Sequence, residues 1–234
     1  MGFKVRGYTR DVPQKKVRDY SLFAIACEGS EREPDYFKLF DGVDRIKVDI
    51  IGHDMEDEEV DSHESKASSP LKVLEKVKDY ISQNQLSAED GDSLWCVIDV
   101  DRWPQAQLEE LNSFCSQKEN RHLVISNPCI EIWLLYHKKK DLTMFGIKTA
   151  KDAKRVLDSI EKGGYYYIKY LPLMLDAIEN AKLADTKSEN YMPDLLQTKV
   201  YKLGDALYKR MGKVRFEKFI ASLPKIEKEI LKNK

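Results

Sequence analysis

Short apolar runs punctuate the first half of the chain. Ser21–Leu22–Phe23–Ala24–Ile25–Ala26–Cys27 stops at Glu28–Gly29, and its length and glycine ending predict a buried strand rather than a helix. Arg45 to Ile51 alternates and is β-rich, which predicts a second strand. Gly91–Asp92 turns the chain into Ser93–Leu94–Trp95–Cys96–Val97–Ile98, a third buried strand that ends at Asp99–Val100–Asp101. His122 to Ser126 predicts a short fourth. Helical segments separate them. PDYFKLF, from Pro34 to Phe40, starts a helix with its proline in the first turn. Ser68–Ser69–Pro70 caps a helix running to about Gln83, with Leu71, Leu74, Val77, Lys78 and Ile81 at helical spacing. Gln105 to Lys118 is amphipathic. Asn127 is expected as the N-cap, and Pro128 as the first position, of an apolar helix from Cys129 to His137. Strands alternating with helices imply βα units and a mainly parallel sheet covered on both faces.

After Lys138–Lys139–Lys140 the strand pattern stops. Thr149 to Glu161, Leu173 to Ala184, Thr198 to Met211 and Arg215 to Lys232 all read as helices, broken by Gly163–Gly164 and Pro193. The expected organisation is a basic N-terminal segment (1–17), an α/β domain (18–140) and a helical, basic C-terminal region (141–234).

Composition narrows the class. Of 234 residues, 42% are hydrophobic, enough for a core, and 34% are charged, with no apolar run near the ~20 residues of a membrane span. Met1 to Tyr20 is polar and basic and lacks the apolar stretch of a secretory signal. Cys27, Cys96, Cys115 and Cys129 are scattered, mostly in or beside apolar runs, and read as reduced core thiols; the cytoplasm is the expected compartment. The net charge of −1 conceals −7 over residues 1–140 and +6 over residues 141–234. That split suits a metal centre beside a polyanion-binding surface, and equally a set of Lys-rich solvated helices. Asp54 to Glu64 holds seven acids in eleven positions, without the glycine and alternating Asp/Asn of a calcium loop, and reads as a solvated loop.

Candidate chemistry gathers at strand ends. Asp99 and Asp101 are two apart, so their side chains project to the same side, and paired carboxylates repel unless protonated or neutralised by a cation. Mg²⁺, a hard ion, takes one or two carboxylates plus waters and phosphate oxygens. Glu28 ends the first strand in the same way, and open parallel sheets place their sites beyond the carboxyl ends of strands. Spacing alone leaves a metal site and a solvated strand end both open. Glu131 sits one position past the capping-box site of its expected helix, so capping does not explain it, which leaves a site role ahead of a helix-dipole one. His137, at the end of that helix, reads as an electrostatic partner of the helix terminus. Gly29 is expected to relieve the turn after Glu28 through its backbone freedom. His53, His63 and His122 lack ligand spacing for zinc. Arg102 reads as a phosphate contact or a partner of a surface acid. Tyr165–Tyr166–Tyr167 and Tyr170, interleaved with Lys162 and Lys169, read first as packing aromatics and second as a base-stacking surface.

A strand ending in Glu-Gly, followed later by one ending in Asp-x-Asp, resembles the Toprim signature of topoisomerases, primases and related nucleases. More specifically, CEGSEREPDYF (Cys27 to Phe37), VIDVDR (Val97 to Arg102) and SNPCIEIWLLYH (Ser126 to His137) resemble the motifs of the RloB-like family. AIENAK (Ala177 to Lys182) and TKVYKL (Thr198 to Leu203) resemble its later blocks, so the likeness spans about Leu22 to Leu207 in order. Arg32 departs from the pattern, where the family usually has a small hydroxyl residue.

The resemblance implies a Toprim-like domain over 18–140 and a Mg²⁺- (or Mn²⁺-) dependent nuclease of abortive phage infection. It implies Glu28 as general acid or base, Asp99 and Asp101 as metal ligands, and Glu33 as ligand to a second ion. Glu131 joins the expected metal set. Glu33 also reads as a helix-start carboxylate. Lys138, Lys139, Lys140, Lys169 and Arg102 are the expected nucleic-acid contacts. The alternative is a non-catalytic Toprim-derived sensor or scaffold subunit acting with an ATPase partner. Self-association stays open, and no membrane partner is expected.

Overall fold

The computed structural model describes residues 19–29, 32–52, 69–100, 103–161 and 166–232. Its centre is a four-stranded sheet made of β1 (Ser21–Cys27), β2 (Ile46–Ile50), β3 (Ser93–Asp99) and β4 (Arg121–Ser126), ordered β2-β1-β3-β4 with all three pairings parallel. The α/β reading and all four expected strands therefore hold.

Strand parity explains the layers. In β1, Phe23 and Ile25 point to one face and Ala24 and Ala26 to the other; in β3, Trp95 and Val97 oppose Leu94, Cys96 and Ile98 in the same way. Both faces are apolar because both are covered. One carries α2 (Pro70–Gln83) and α3 (Gln105–Cys115). The other carries α1 (Arg32–Lys38), α4 (Glu131–Tyr136) and the later helices α5 (Ala150–Ile160), α6 (Met174–Ala184), α7 (Tyr201–Met211) and α8 (Lys213–Lys232). The chain runs from β1 outward to β2, then back past β1 to β3. Right-handed crossovers in opposite directions put their helices on opposite faces, which is why α1 and α2 part company. The reversal lies between β1 and β3, the place where open parallel sheets leave a crevice at the carboxyl ends of their strands.

Local details refine the expectations. Ser69 caps α2 by accepting from the Lys72 N–H at 3.3 Å, as its sequence implies. The buried face of that helix is Pro70, Val73, Leu74 and Val77, while Lys78 is exposed. Thr198 does not open a helix. It forms an antiparallel bridge to Ser126 at the end of β4, their hydroxyls 2.8 Å apart, and α7 starts three residues later. One cluster of buried side chains continues from Phe23 through Trp133 and Tyr170 to Leu223, joining the sheet to the C-terminal helices. Among the described residues, no helix is long and apolar enough to cross a membrane. All four cysteines are free thiols, three of them buried.

Candidate metal centre at the β1/β3 strand ends

Glu28 follows β1 and Asp99 closes β3, and their strands are hydrogen-bonded neighbours, with Cys27 level with Val97. The Glu28 backbone N–H donates to the Val97 carbonyl at 3.1 Å, and one oxygen of the Glu28 carboxylate accepts from the Asp99 backbone N–H at 3.1 Å. Its other oxygen accepts from the Trp103 indole N–H at 2.8 Å. Glu28 is therefore held from both of its carboxylate oxygens, by a backbone donor on one and an indole donor on the other. Asp99 shares the parity of Val97 and projects towards the face that carries α1 and α4.

On that face the acids accumulate. Glu33, in the first turn of α1, folds back over Gly29 so closely that a Cβ there would lie 2.3 Å from a carboxylate oxygen. Gly29 thus leaves room for the Glu33 carboxylate, and its backbone is not in the left-handed region, so the freedom expected from sequence is not what it supplies. Burial pushes the Glu33 carboxyl up to about 7; its own backbone N–H opposes this, while Glu131 and Glu28 add to it and Arg32 lowers it. Burial also pushes the Cys27 thiol well up, with Glu33 and Asp99 contributing, and the Cys129 thiol rises through burial, the charge of Glu131, a hydrogen bond to the Glu131 side chain and then the charge of Asp99. Glu28, Glu33, Asp99 and Glu131 are therefore electrostatically one group, with two neutral thiols between them.

Glu131 is only 1% exposed, bonds the Arg32 guanidinium through one oxygen and has the Cys129 thiol as a neighbour. The helix it opens differs from expectation. Asn127 does not cap it. The Asn127 side chain donates to the Pro193 carbonyl at 3.0 Å, its backbone N–H to Gln197 at 2.9 Å, and its carbonyl accepts from Leu196. The Asn127–Pro128 bond is cis and α4 begins only at Glu131. A distant segment, 193–197, has taken the polar groups that a local cap would have used. His137 also differs: it is buried, and burial lowers its pKa to about 3, with the Trp133 carbonyl raising it and Lys138 lowering it. Its Nδ1–H donates to that carbonyl at 3.0 Å, so Nε2 accepts from the Tyr36 hydroxyl at 3.0 Å. It is a neutral core group, not a charged partner of the helix end.

The expected basic contacts divide. Lys138 is bonded to the buried Glu161 and lies 5.1 Å from the Tyr170 ring centre; Lys139 lies 5.9 Å from that of Phe145. Lys140 and Lys169 are exposed. The Tyr170 phenol is pushed up by burial and then by Glu161, and Arg32 pulls it the other way. The basic turn and the acidic face are thus within electrostatic reach of each other. Tyr166, Tyr167 and Tyr170 pack on the core, as their first reading implies. Asp101, Arg102, Lys162, Tyr165 and the acidic run 54–64 lie outside the described residues. Among the described residues, no group of three His, Cys, Asp or Glu side chains is arranged to hold a metal ion.

Sequence reasoning missed Trp103, Cys27, Cys129 and the role of Arg32. Trp103 lies four positions beyond Asp99, and its adjacency to the acidic motif was the available signal. The thiols gave none, because apolar flanks conceal a strand-end position.

Glu33 offers a direct check. An unfolded Glu releases its proton near 4.5, whereas the native carboxyl holds it to about 7. A raised native value favours the fold at low pH and loses that advantage as pH rises from 4.5 through 7, a difference on the order of 3 kcal/mol for the metal-free protein. Glu33→Gln is expected to melt higher than the parent at pH 8 and to lose that lead below pH 4.5. Calorimetric melting in chelator from pH 4 to 8 reads the gap, and a gap independent of pH rules out titration of Glu33 in this range.

Comparison with known proteins adds a family and nothing closer. No curated protein and no solved structure matches the chain. The model of the RloB-like protein family matches residues 23–207, from within β1 to within α7 and across every acid described above. The chain belongs to the RloB-like protein family.

Proposed function

We propose that this protein is a Mg²⁺-dependent, Toprim-type nuclease that hydrolyses nucleic-acid phosphodiesters in prokaryotic phage defence. The observation that carries the reading is the Glu28 carboxylate bonded to the Asp99 backbone at the β1/β3 reversal, with Glu33 and Glu131 on the adjoining face. The acids offer hard carboxylate oxygen, which suits Mg²⁺ or Mn²⁺. A bound divalent ion supplies charge neutralisation for a phosphate and lowers the pKa of a water.

The chain's own residues do the rest. Asp99, with Asp101, would hold the ion. Trp103 and the Asp99 N–H fix the Glu28 carboxylate as the group that takes or returns a proton. Lys140 and Lys169, exposed, meet phosphates, while Lys138 is already neutralised by Glu161. Cytoplasmic location, self-association and an ATPase partner belong to the same reading.

A second reading, a non-catalytic subunit that works through an ATPase, is favoured by Arg32 already occupying Glu131. Incubating the purified chain with labelled RNA and DNA, with Mg²⁺ or with chelator, separates the two. Cleavage that appears with Mg²⁺ and vanishes with chelator is expected. Intact polymers under both conditions, with the ATPase partner absent or present, exclude the nuclease.

A further inference from the structure

Several lysines that lie along the fold are tied to an acid: Lys47 to Asp41, Lys138 to Glu161, Lys187 to Asp194 and Lys199 to Asp185. Lys76, in the second turn of α2, is placed differently. Its stem lies across the backbone of Gly52, in the turn that ends β2. A Cβ at Gly52 would stand 2.9 Å from the Lys76 Cδ, 3.3 Å from its Cε and 3.1 Å from its Nζ. Gly52 has a φ of +80°, so the turn favours glycine and leaves that space to the lysine. Among the described residues, no acid or hydrogen-bond acceptor holds the Lys76 ammonium. Asp49, which shares the parity of Ile51 and faces α2, accepts instead from the Tyr80 hydroxyl at 2.7 Å, one turn further along the helix.

The register says where this cation stands. Ile50 is level with Ile25, and the Ile51 N–H donates to the Ile25 carbonyl at 2.9 Å, so Gly52 turns beside the end of β1. Neighbouring strands are about 4.8 Å apart. Glu28, the first residue after β1, has the parity of Ala24 and Ala26, which face α2 and α3. Lys76 and Glu28 therefore sit on one face of the sheet, at adjoining strand ends. Trp103 donates to Glu28 from the β3 side, and Lys76 stands on the β2 side. A lysine ammonium is a compact point charge that suits a phosphate oxygen. Here the folded stem fixes the charge next to the acidic site, and no resident acid neutralises it.

We propose that Lys76 contacts a backbone phosphate of the nucleic acid, next to the phosphodiester presented to Glu28; this deepens the nuclease reading above and rests on it. The contact is to phosphate alone, so it is blind to base sequence.

The test is binding of labelled single-stranded DNA of two sequences, followed by fluorescence anisotropy in chelator over a series of salt concentrations. Lys76→Met keeps the apolar stem and removes the charge. It is expected to weaken binding about tenfold for both sequences, as loss of a charge-assisted bond implies. The slope of log Kd against log salt is expected to fall by about 0.7, the value of one phosphate contact on a single strand. Lys76→Arg is expected to bind as the parent does. Lys78→Met is the control for net charge: Lys78 is exposed and lies about 200° further round the helix, and its loss is expected to leave affinity and slope unchanged. With Mg²⁺, Lys76→Met is expected to raise KM and leave kcat unchanged.

Equal affinity for parent and Lys76→Met overturns the contact, and so does weaker binding with an unchanged salt slope, which marks lost packing. An equal loss in Lys78→Met overturns it too, since a general field effect then suffices. A fall in kcat at unchanged KM overturns a contact that serves binding, and a parent chain that binds no DNA at any salt overturns it outright. Binding that depends on Lys76 without any cleavage removes the nuclease and leaves the phosphate contact; cleavage with binding indifferent to Lys76 does the reverse.

Discussion

Lys199→Met lowers the stability of the fold by about 3–5 kcal/mol, the usual cost of leaving one partner of a buried ion pair alone. Asp185 keeps only the Tyr201 hydroxyl, at 2.8 Å, and the Lys187 carbonyl loses its donor. Adding Asp185→Asn removes the stranded charge while an amide oxygen still accepts from Tyr201, so the double variant is expected to recover much of the loss. Urea unfolding of the single and double variants, compared at equal m-value, measures the coupling. If the two single losses simply add, the pair is not the unit described. The effect reaches the acidic face through the backbone. Lys199 N–H donates to the Ile125 carbonyl at 2.7 Å, and the same segment holds Asn127 just ahead of Glu131.

Asp99→Asn is expected to reduce Mg²⁺-dependent cleavage by roughly 10²–10⁴-fold, since a charge ligand to a catalytic ion stabilises the transition state by several kcal/mol. Stability should stay level or rise slightly. The substitution keeps the backbone N–H that binds Glu28 and removes one charge from a face that also holds Glu33 and Glu131. Glu28→Gln is a less clean probe. Gln has one acceptor oxygen for two donors, the Asp99 N–H and the Trp103 indole, so part of any loss comes from misplaced packing, about 1–3 kcal/mol for an unsatisfied buried donor. Cleavage rates and melting curves of Asp99→Asn together decide the matter. Full activity excludes Asp99 from the site, and unfolding assigns it a structural role.

What the sequence made legible follows from what is local. The strands were readable because a sheet covered on both faces needs continuous apolar runs, and β1 and β3 have them up to Cys27 and Ile98. Ser69 was readable as a cap because its partner is three residues away. Asn127 was not, because residues 193–197 compete for its polar groups, and no local pattern reports a partner about 70 positions on. His137 was misjudged for a related reason. Its place at a helix end is local, but its burial against Tyr36 and Tyr170 is tertiary. Glu28 and Asp99 were paired by a rule about strand ends, and their strands are neighbours. Gly29 was singled out correctly and explained wrongly, since Glu33 above it is a matter of packing.

The antiparallel bridge at the end of β4 also has a consequence in time. β4 is one of the two edge strands, and Thr198, which bonds its last residue, follows Ser126 by 72 positions. At ordinary rates of translation the ribosome needs roughly 4–14 seconds to deliver that stretch. Until it emerges, the last residue of β4 lacks the partner that closes it, at an edge of the kind on which foreign strands add. The acidic face cannot take its final form in that interval either, because Asn127 waits for the same segment. The end of β4 and the turn that leads to Glu131 are therefore closed only once translation has passed Thr198.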